Sequence, residues 1–315
     1  MTRPQNSTLA RAKINLTLRV LGRRPDGYHE IASLVAFADI GDRLVMQWRD
    51  GAEAPRRYSS GDIAEPPPTH TSSRPATLRA VGPFAAAIVG DNLVETAIRR
   101  VEAAAGGAIE ADFVLEKNLP VASGIGGGSA DAAAALRLMR EAYGALAGRI
   151  DWDGIARGLG ADVPVCLASR SAMMRGTGEL ISPICLPKLD IVLANACEPV
   201  PADKTRQVFS TLGAPPSVTV EPQEIPRSVD RERLLALMRA TGNDLEAPAR
   251  SILASLGGVK AAVAATAGCE IAIVSGAGPT IVGIYPSPDA ACRARDDLQN
   301  MHPGWWVQAG TLGGD

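Results

Sequence analysis

Residues 120–131 read Pro120-Val121-Ala122-Ser123-Gly124-Ile125-Gly126-Gly127-Gly128-Ser129-Ala130-Asp131, with four glycines in five positions ahead of an alanine-rich stretch. Glycines let the backbone turn through conformations closed to other residues and bring amide N–H groups close to a ligand without a Cβ in the way. The alanine-rich segment, about residues 130–143, reads as a helix ending near Gly144. Ahead of the loop, Ile109, Ala111, Phe113 and Leu115 alternate with polar residues, which reads as a strand. A strand–glycine loop–helix unit presents unpaired N–H groups and the positive end of a helix dipole to one spot, an arrangement suited to phosphate. Two familiar phosphate loops are excluded. A dinucleotide fingerprint fails because Ser129 stands where the third glycine belongs, and a Walker loop fails because no lysine follows Gly128.

The rest of the chain alternates strand and helix signals. Ile14, Leu16, Leu18 and Val20 have a period of two and predict a strand over 8–20, and Arg23-Arg24-Pro25-Asp26-Gly27 predicts a turn. Further strand is expected over 31–48 and helix over 92–105. Residues 51–76 are rich in Gly, Pro, Ser and Arg and read as a surface insertion. Beyond a Gly/Pro cluster at 175–188, strands are expected at 189–194, 271–275, 281–285 and 305–309. Helices are expected at 204–211, 229–241, 246–267 and 288–300, with a Pro-rich linker over 213–228. Interleaved strands and helices give an α+β class. A length of 315 residues exceeds what one core usually serves, so two domains are expected, 1–178 and 179–315.

Composition removes several function classes. The net charge of -2 offers no field for nucleic acid or an anionic membrane, so a small-molecule partner is expected. No apolar run approaches the ~18 residues of a membrane span. Residues 1–10 have no apolar secretory signal, and the five scattered cysteines form no C-x-x-C pair. A cytoplasmic protein with reduced, mostly buried thiols is expected. A homodimer is compatible with the sequence.

Leu-Pro-x-x-x-Gly-x-Gly-Gly-Gly-Ser at 119–129 resembles the central motif of the GHMP kinases, a superfamily that includes galactokinase, homoserine kinase and mevalonate kinase. Ala12-Lys13-Ile14-Asn15-Leu16 is similar to its N-terminal motif, and Val274-Ser275-Gly276-Ala277-Gly278-Pro279-Thr280 to its C-terminal glycine motif. Gly27-Tyr28-His29, Asp91-Asn92-Leu93 and Gly160-Ala161-Asp162-Val163-Pro164 resemble one branch, whose members phosphorylate the 2-hydroxyl of 4-diphosphocytidyl-2-C-methyl-D-erythritol in the non-mevalonate isoprenoid pathway. The resemblance runs from about residue 9 to 310 and omits 51–76. It departs at Ala130, where a second serine is common, at Ser123, where alanine or glycine is common, and at Pro201-Ala202-Asp203-Lys204-Thr205, which aligns poorly. It implies a ribosomal protein S5 domain 2-like first domain, a ferredoxin-like second domain, and ATP with Mg²⁺ as cofactors.

The resemblance also distributes roles. Pro120, Ala122, Ser123, Gly124, Ile125, Gly126, Gly127, Gly128 and Ser129 would hold ATP, with the Ser129 hydroxyl on a phosphate or the metal. Asp162 would accept the proton of the attacking hydroxyl; an aspartate after Gly-Ala is equally at home as a helix cap. Lys13 would hold Asp162 ionised and offset charge on the transferred group. Its other reading is a solvated strand lysine, although its segment is otherwise apolar. Asn15, on the same strand face, could bond the substrate. Tyr28 and His29 would read the cytosine by stacking and edge hydrogen bonds, with Phe209 as an opposite wall and Thr205 nearby. Against that stand a core tyrosine, a surface histidine and a helix-face phenylalanine. Other readings of the whole chain are a homoserine- or mevalonate-type kinase, whose substrates have no cytosine, and a non-catalytic metabolite sensor, which would not need both Lys13 and Asp162.

Overall fold

The computed structural model describes residues 5–49, 75–215 and 226–314. In chain order the strands and helices are β1 (Gln5–Asn15), β2 (Arg19–Arg23), β3 (His29–Trp48), β4 (Thr77–Val81), α1 (Leu93–Ala105), β5 (Ala111–Glu116), α2 (Gly127–Tyr143), α3 (Trp152–Leu159), α4 (Val163–Ala168), β6 (Ala172–Gly176), β7 (Leu180–Pro183), β8 (Leu189–Asn195), α5 (Lys204–Leu212), α6 (Arg231–Thr241), α7 (Glu246–Ile252), α8 (Leu256–Ala265), β9 (Ile271–Val274), β10 (Ile281–Tyr285), α9 (Pro288–Met301) and β11 (Trp306–Leu312). The expected α+β class is what the chain adopts. Almost all of the 51–76 stretch and most of the 213–228 linker lie outside the described residues.

Contacts gather the chain into two compact units, each entered more than once. The first comprises Met1–Ala10, Gly41–Val121 and Gly128–Ala168; the second comprises Arg11–Ile40, Ala122–Gly127 and Ser169–Asp315. In the first, β5 lies between the later part of β3, antiparallel with Leu44 opposite Leu115, and β4, parallel with Thr77 opposite Asp112. Helix α1 begins where the Asn92 side chain accepts from the Val94 amide and stops at Gly106 in the left-handed conformation. Its buried stripe is Val94, Ala97, Ile98 and Val101, the spacing of one helix face.

In the second unit, β8 runs between β10 and β11, antiparallel to both, and β9 flanks β10. Val192, Val259, Val263, Ile281, Tyr285, Ala291, Ala294 and Leu298 form one buried cluster under α8 and α9. The earlier part of β3 pairs with β2 and β6. Between β2 and β3 the chain turns through Gly27 at φ +89, and Arg24 N–H donates to Tyr28 O at 2.7 Å. That hairpin fixes where Tyr28 and His29 stand.

Three expectations need correcting. The helix expected over 246–267 is two, α7 and α8, because Leu253 leaves the helical region at φ -107, ψ 95 and its N–H closes α7 on Ala249 O. The strand expected over 8–20 is interrupted, since β1 ends at Asn15 and β2 begins at Arg19, and strands β4, β6 and β7 and helices α3 and α4 were not expected. The thiols are not mostly buried: only Cys166 is, Cys269 is half-buried, and Cys185, Cys197 and Cys292 are exposed.

Candidate active site

Residues 122–127 of the glycine loop sit in the second unit. Lys13 N–H donates to Ile125 O at 2.9 Å, so the N-terminal strand holds the loop's centre by its backbone. Gly126, at φ +65, lies over the lysine; a Cβ there would be 3.1 Å from Lys13 Cβ. Gly124, at φ +80, packs so tightly on the 275–280 loop that a Cβ would fall 2.5 Å from Gly278 O and 2.7 Å from Ser275 O. The Ser275 hydroxyl donates to Gly124 O at 3.1 Å and accepts from the Asn15 amide at 3.2 Å. Thr280 N–H donates to Ser123 O at 3.1 Å, and the Asn195 side chain bonds Thr280 Oγ1 at 2.9 Å. The three glycine- and lysine-bearing segments quoted from the sequence are therefore one hydrogen-bonded assembly.

The loop runs on into α2, which starts at Gly127, so Gly128 and Ser129 form its first turn. The N–H groups of a first helical turn have no partners within the helix and are available to an anion. Gly128 is exposed and Ser129 half-buried; Pro120 and Ser123 are buried at the loop's entry. Ala122 adopts a positive φ of 55, which costs a residue with a Cβ of order 1–3 kcal/mol and marks a place where the surroundings dictate the backbone.

Lys13 is only 5% exposed and Asn15 4%. The Asn15 side-chain Nδ2 donates to the Ser33 hydroxyl at 2.7 Å, which passes its own hydrogen to Thr17 O at 2.6 Å. Asn15 thus has a structural bond besides any it gives a substrate. Asp162 belongs to the first unit, half-buried, one residue ahead of α4, with its carbonyl accepting from the Cys166 amide at 3.1 Å.

His29 opens β3 and stacks on Phe209 of α5, with ring centroids 4.8 Å apart and planes 29° from parallel. Burial and the nearby Arg23 guanidinium hold the His29 pKa below its usual value, favouring the neutral ring. Tyr28 beside it is 66% exposed, an aromatic face with little of its own chain to cover. Thr205 is exposed on α5.

Two charged features escaped the sequence reading. Lys204, at the start of α5, is buried and reaches the loop at Ala122 O. In the first unit, Lys117 donates to Asp42 Oδ2 at 2.5 Å and to Asp131 Oδ2 at 2.8 Å, and Asp42 Oδ1 accepts from the Asn118 and Leu119 amides at 2.6 and 2.8 Å. All three side chains are buried, and Asp131 Oδ1 has no partner. Burial, opposed by Lys117 and reinforced by Asp42, pushes the Asp131 pKa up to about 8, so that carboxyl tends to stay protonated. An acid set among the alanines at the start of α2 was the available signal.

Among the described residues no helix is long and apolar enough to cross a membrane. Residues 92–170 match the family model described as the GHMP kinases N terminal domain. A 4-diphosphocytidyl-2-C-methyl-D-erythritol kinase of Methylorubrum extorquens is 42% identical, covering 97% of this chain and 98% of the relative. A crystal structure of 4-(cytidine 5'-diphospho)-2C-methyl-D-erythritol kinase superposes with a TM-score of 0.71 at 32% identity, covering 98% of this chain and 100% of the other. Homoserine kinase from Cytophaga hutchinsonii, at 16% identity and TM-score 0.66, shares the fold. The corresponding enzyme of Parvibaculum lavamentivorans is 46% identical over 97% of both chains, so this chain belongs to the 4-diphosphocytidyl-2-C-methyl-D-erythritol kinase family of the GHMP kinases.

Proposed function

We propose that the chain transfers the γ-phosphoryl group of ATP to the 2-hydroxyl of 4-diphosphocytidyl-2-C-methyl-D-erythritol, in the cytoplasm, as a step toward isoprenoid precursors. The observation that carries this reading is the full-length 46% identity to a relative of that name. The His29–Phe209 stack beside an exposed Tyr28 supports it, because it offers aromatic faces suited to a cytosine.

In the reaction the hydroxyl oxygen bonds the γ-phosphorus, the bond to the bridging β–γ oxygen breaks, and ADP leaves. Residues 122–129 bind the phosphates through backbone amides. Asp162 takes the hydroxyl proton, and Lys13 offsets the charge on the moving group. Asn15, Tyr28, His29, Thr205 and Phe209 orient the acceptor. The Ser129 hydroxyl, a hard oxygen donor in the first turn of α2, suits Mg²⁺ arriving on ATP, with the other ligands coming from phosphates. When bound, Mg²⁺ neutralises charge on the β- and γ-oxygens.

The test is ADP release coupled to a reporter, with the cytidyl substrate, homoserine or mevalonate as acceptor. Turnover with the cytidyl substrate alone is expected. Turnover only with another acceptor, or none with any, would overturn the assignment.

A further inference from the structure

Lys204 is the first residue of α5, yet its side chain turns inward and is 3% exposed. Its ammonium donates to Ala122 O at 2.7 Å and to Gly278 O. Both carbonyls belong to residues in left-handed conformation, Ala122 at φ 55 and Gly278 at φ 70. Several costs meet here. A buried ammonium loses its hydration. A cation in the first turn of a helix opposes the dipole. The acceptors are neutral carbonyls, so no carboxylate offsets the charge in these bonds. Consistent with this, burial pushes the Lys204 pKa down to about 8. Such a residue is poor scaffolding, and its cost asks for a role.

Its position supplies one. Lys204 is the point where the glycine loop, the 275–280 loop and α5 meet. The same helix carries Thr205, the next residue, and Phe209, one turn and a residue further, which stacks on His29. We propose that Lys204 is a positioning residue that couples the nucleotide loop to the acceptor-reading face of α5, so that each ligand strengthens binding of the other. The coupling is a free energy shared by two sites and must be reciprocal. This inference rests on the assignment of residues 122–129 to ATP and of His29 and Phe209 to the cytosine.

The experiment is calorimetric titration of the full chain with a non-hydrolysable ATP analogue, with and without saturating cytidyl substrate, and the reverse. It is run on the wild type, Lys204→Met and Lys204→Arg. In the wild type each ligand is expected to tighten the other by about 5-fold or more, the lower end of typical coupling. Lys204→Met, similar in length and without charge, should bind each ligand alone but bring the factor to about one. Lys204→Arg should restore part of it, which a purely space-filling role would not do. If Lys204→Met fails to fold, as judged by its thermal melt, Lys204→Gln keeps one donor and should show a reduced factor. An uncoupled wild type, or a Lys204→Met that keeps the full factor, overturns the proposal while leaving the catalytic assignment intact. A wild type that binds neither ligand overturns the assignment, and the proposal with it.

Discussion

Gly124 has room for a hydrogen and nothing larger. A Cβ would meet two backbone carbonyls at 2.5 and 2.7 Å, on a residue at φ +80. Neither carbonyl can move without shifting the loop. Gly124→Ala should therefore fold but lose at least tenfold in nucleotide affinity, measured by titration with an ATP analogue. An unchanged affinity would mean that the loop can relax without cost. The sequence marked this residue only as one glycine of four; the backbone facing it comes from 275–280, about 150 residues away in the chain, and no local pattern reports that. His29 makes a second case. Its spacing behind a turn was legible, but its ring partner on α5 was available only through the family resemblance. With its pKa held below the usual value by burial and Arg23, the ring is neutral at pH 7. If the neutral ring reads the cytosine, KM for the acceptor should rise as the pH falls below the ordinary histidine range, while KM for ATP does not follow. His29→Phe should keep the stack and lose that pH dependence. A wild-type acceptor KM that is flat with pH would remove the imidazole from cytosine recognition.

At the scale of elements, the buried Lys117–Asp42–Asp131 group ties the end of β5 to the second turn of α2, the elements on either side of the glycine loop in sequence. Lys117→Met leaves Asp42 and Asp131 buried without their cation and should cost about 3–5 kcal/mol, the usual penalty for breaking a buried ion pair from one side. Denaturant unfolding would measure it. Asp131→Asn should behave differently. The native Asp131 pKa is pushed up to about 8 from 3.8, so between those values the folded protein holds a proton that the unfolded chain releases. Its contribution is full below pH 3.8 and is lost as the pH rises through about 8. Wild-type stability should fall across that window, and Asp131→Asn, which cannot ionise, should flatten the slope. An identical slope in both proteins would place the titration elsewhere. Sequence reading missed this group because Lys117-Asn118 looks like a polar exit from a strand, and Asp42 sits inside a long strand whose other residues carry the pattern. The long helices were legible because their apolar spacing repeats over enough residues to outweigh local exceptions, and β8, β9 and β10 because they are apolar, β-branched runs.

Across the whole molecule, three short motifs pointed to the family, whereas the division of the chain followed a different logic. The Gly/Pro cluster near 175–188 suggested one boundary, but the compact units are assembled from segments that leave and return, and the loop residues Ala122–Gly127 group with the later part of the chain. The proposed chemistry calls on Lys13 and Asp162, so its test must ask whether two residues act as one. Asp162→Asn keeps size and much of the hydrogen bonding but cannot accept the proton. If Asp162 is the base, turnover should fall by about 10²–10⁴-fold, the usual worth of general-base catalysis. The affinities for both substrates should stay near wild type, because the lost interaction matters in the transition state. Lys13→Met should also slow turnover, by removing positive charge rather than a proton acceptor. If the two act together, Lys13→Met on top of Asp162→Asn adds little, and the double mutant is scarcely slower than the worse single mutant. If they act independently, their losses multiply. A dissociative transition state offers a different outcome, since the hydroxyl then keeps its proton until late and Asp162 serves to orient it. Asparagine can orient a hydroxyl too, so the loss would be about tenfold or less, roughly 1.4 kcal/mol of barrier. Single-turnover rates, with binding measured separately by calorimetry, distinguish these cases. Near-normal turnover in Asp162→Asn would leave Asp162 as a structural residue just ahead of α4 and move the search for a base to another side chain.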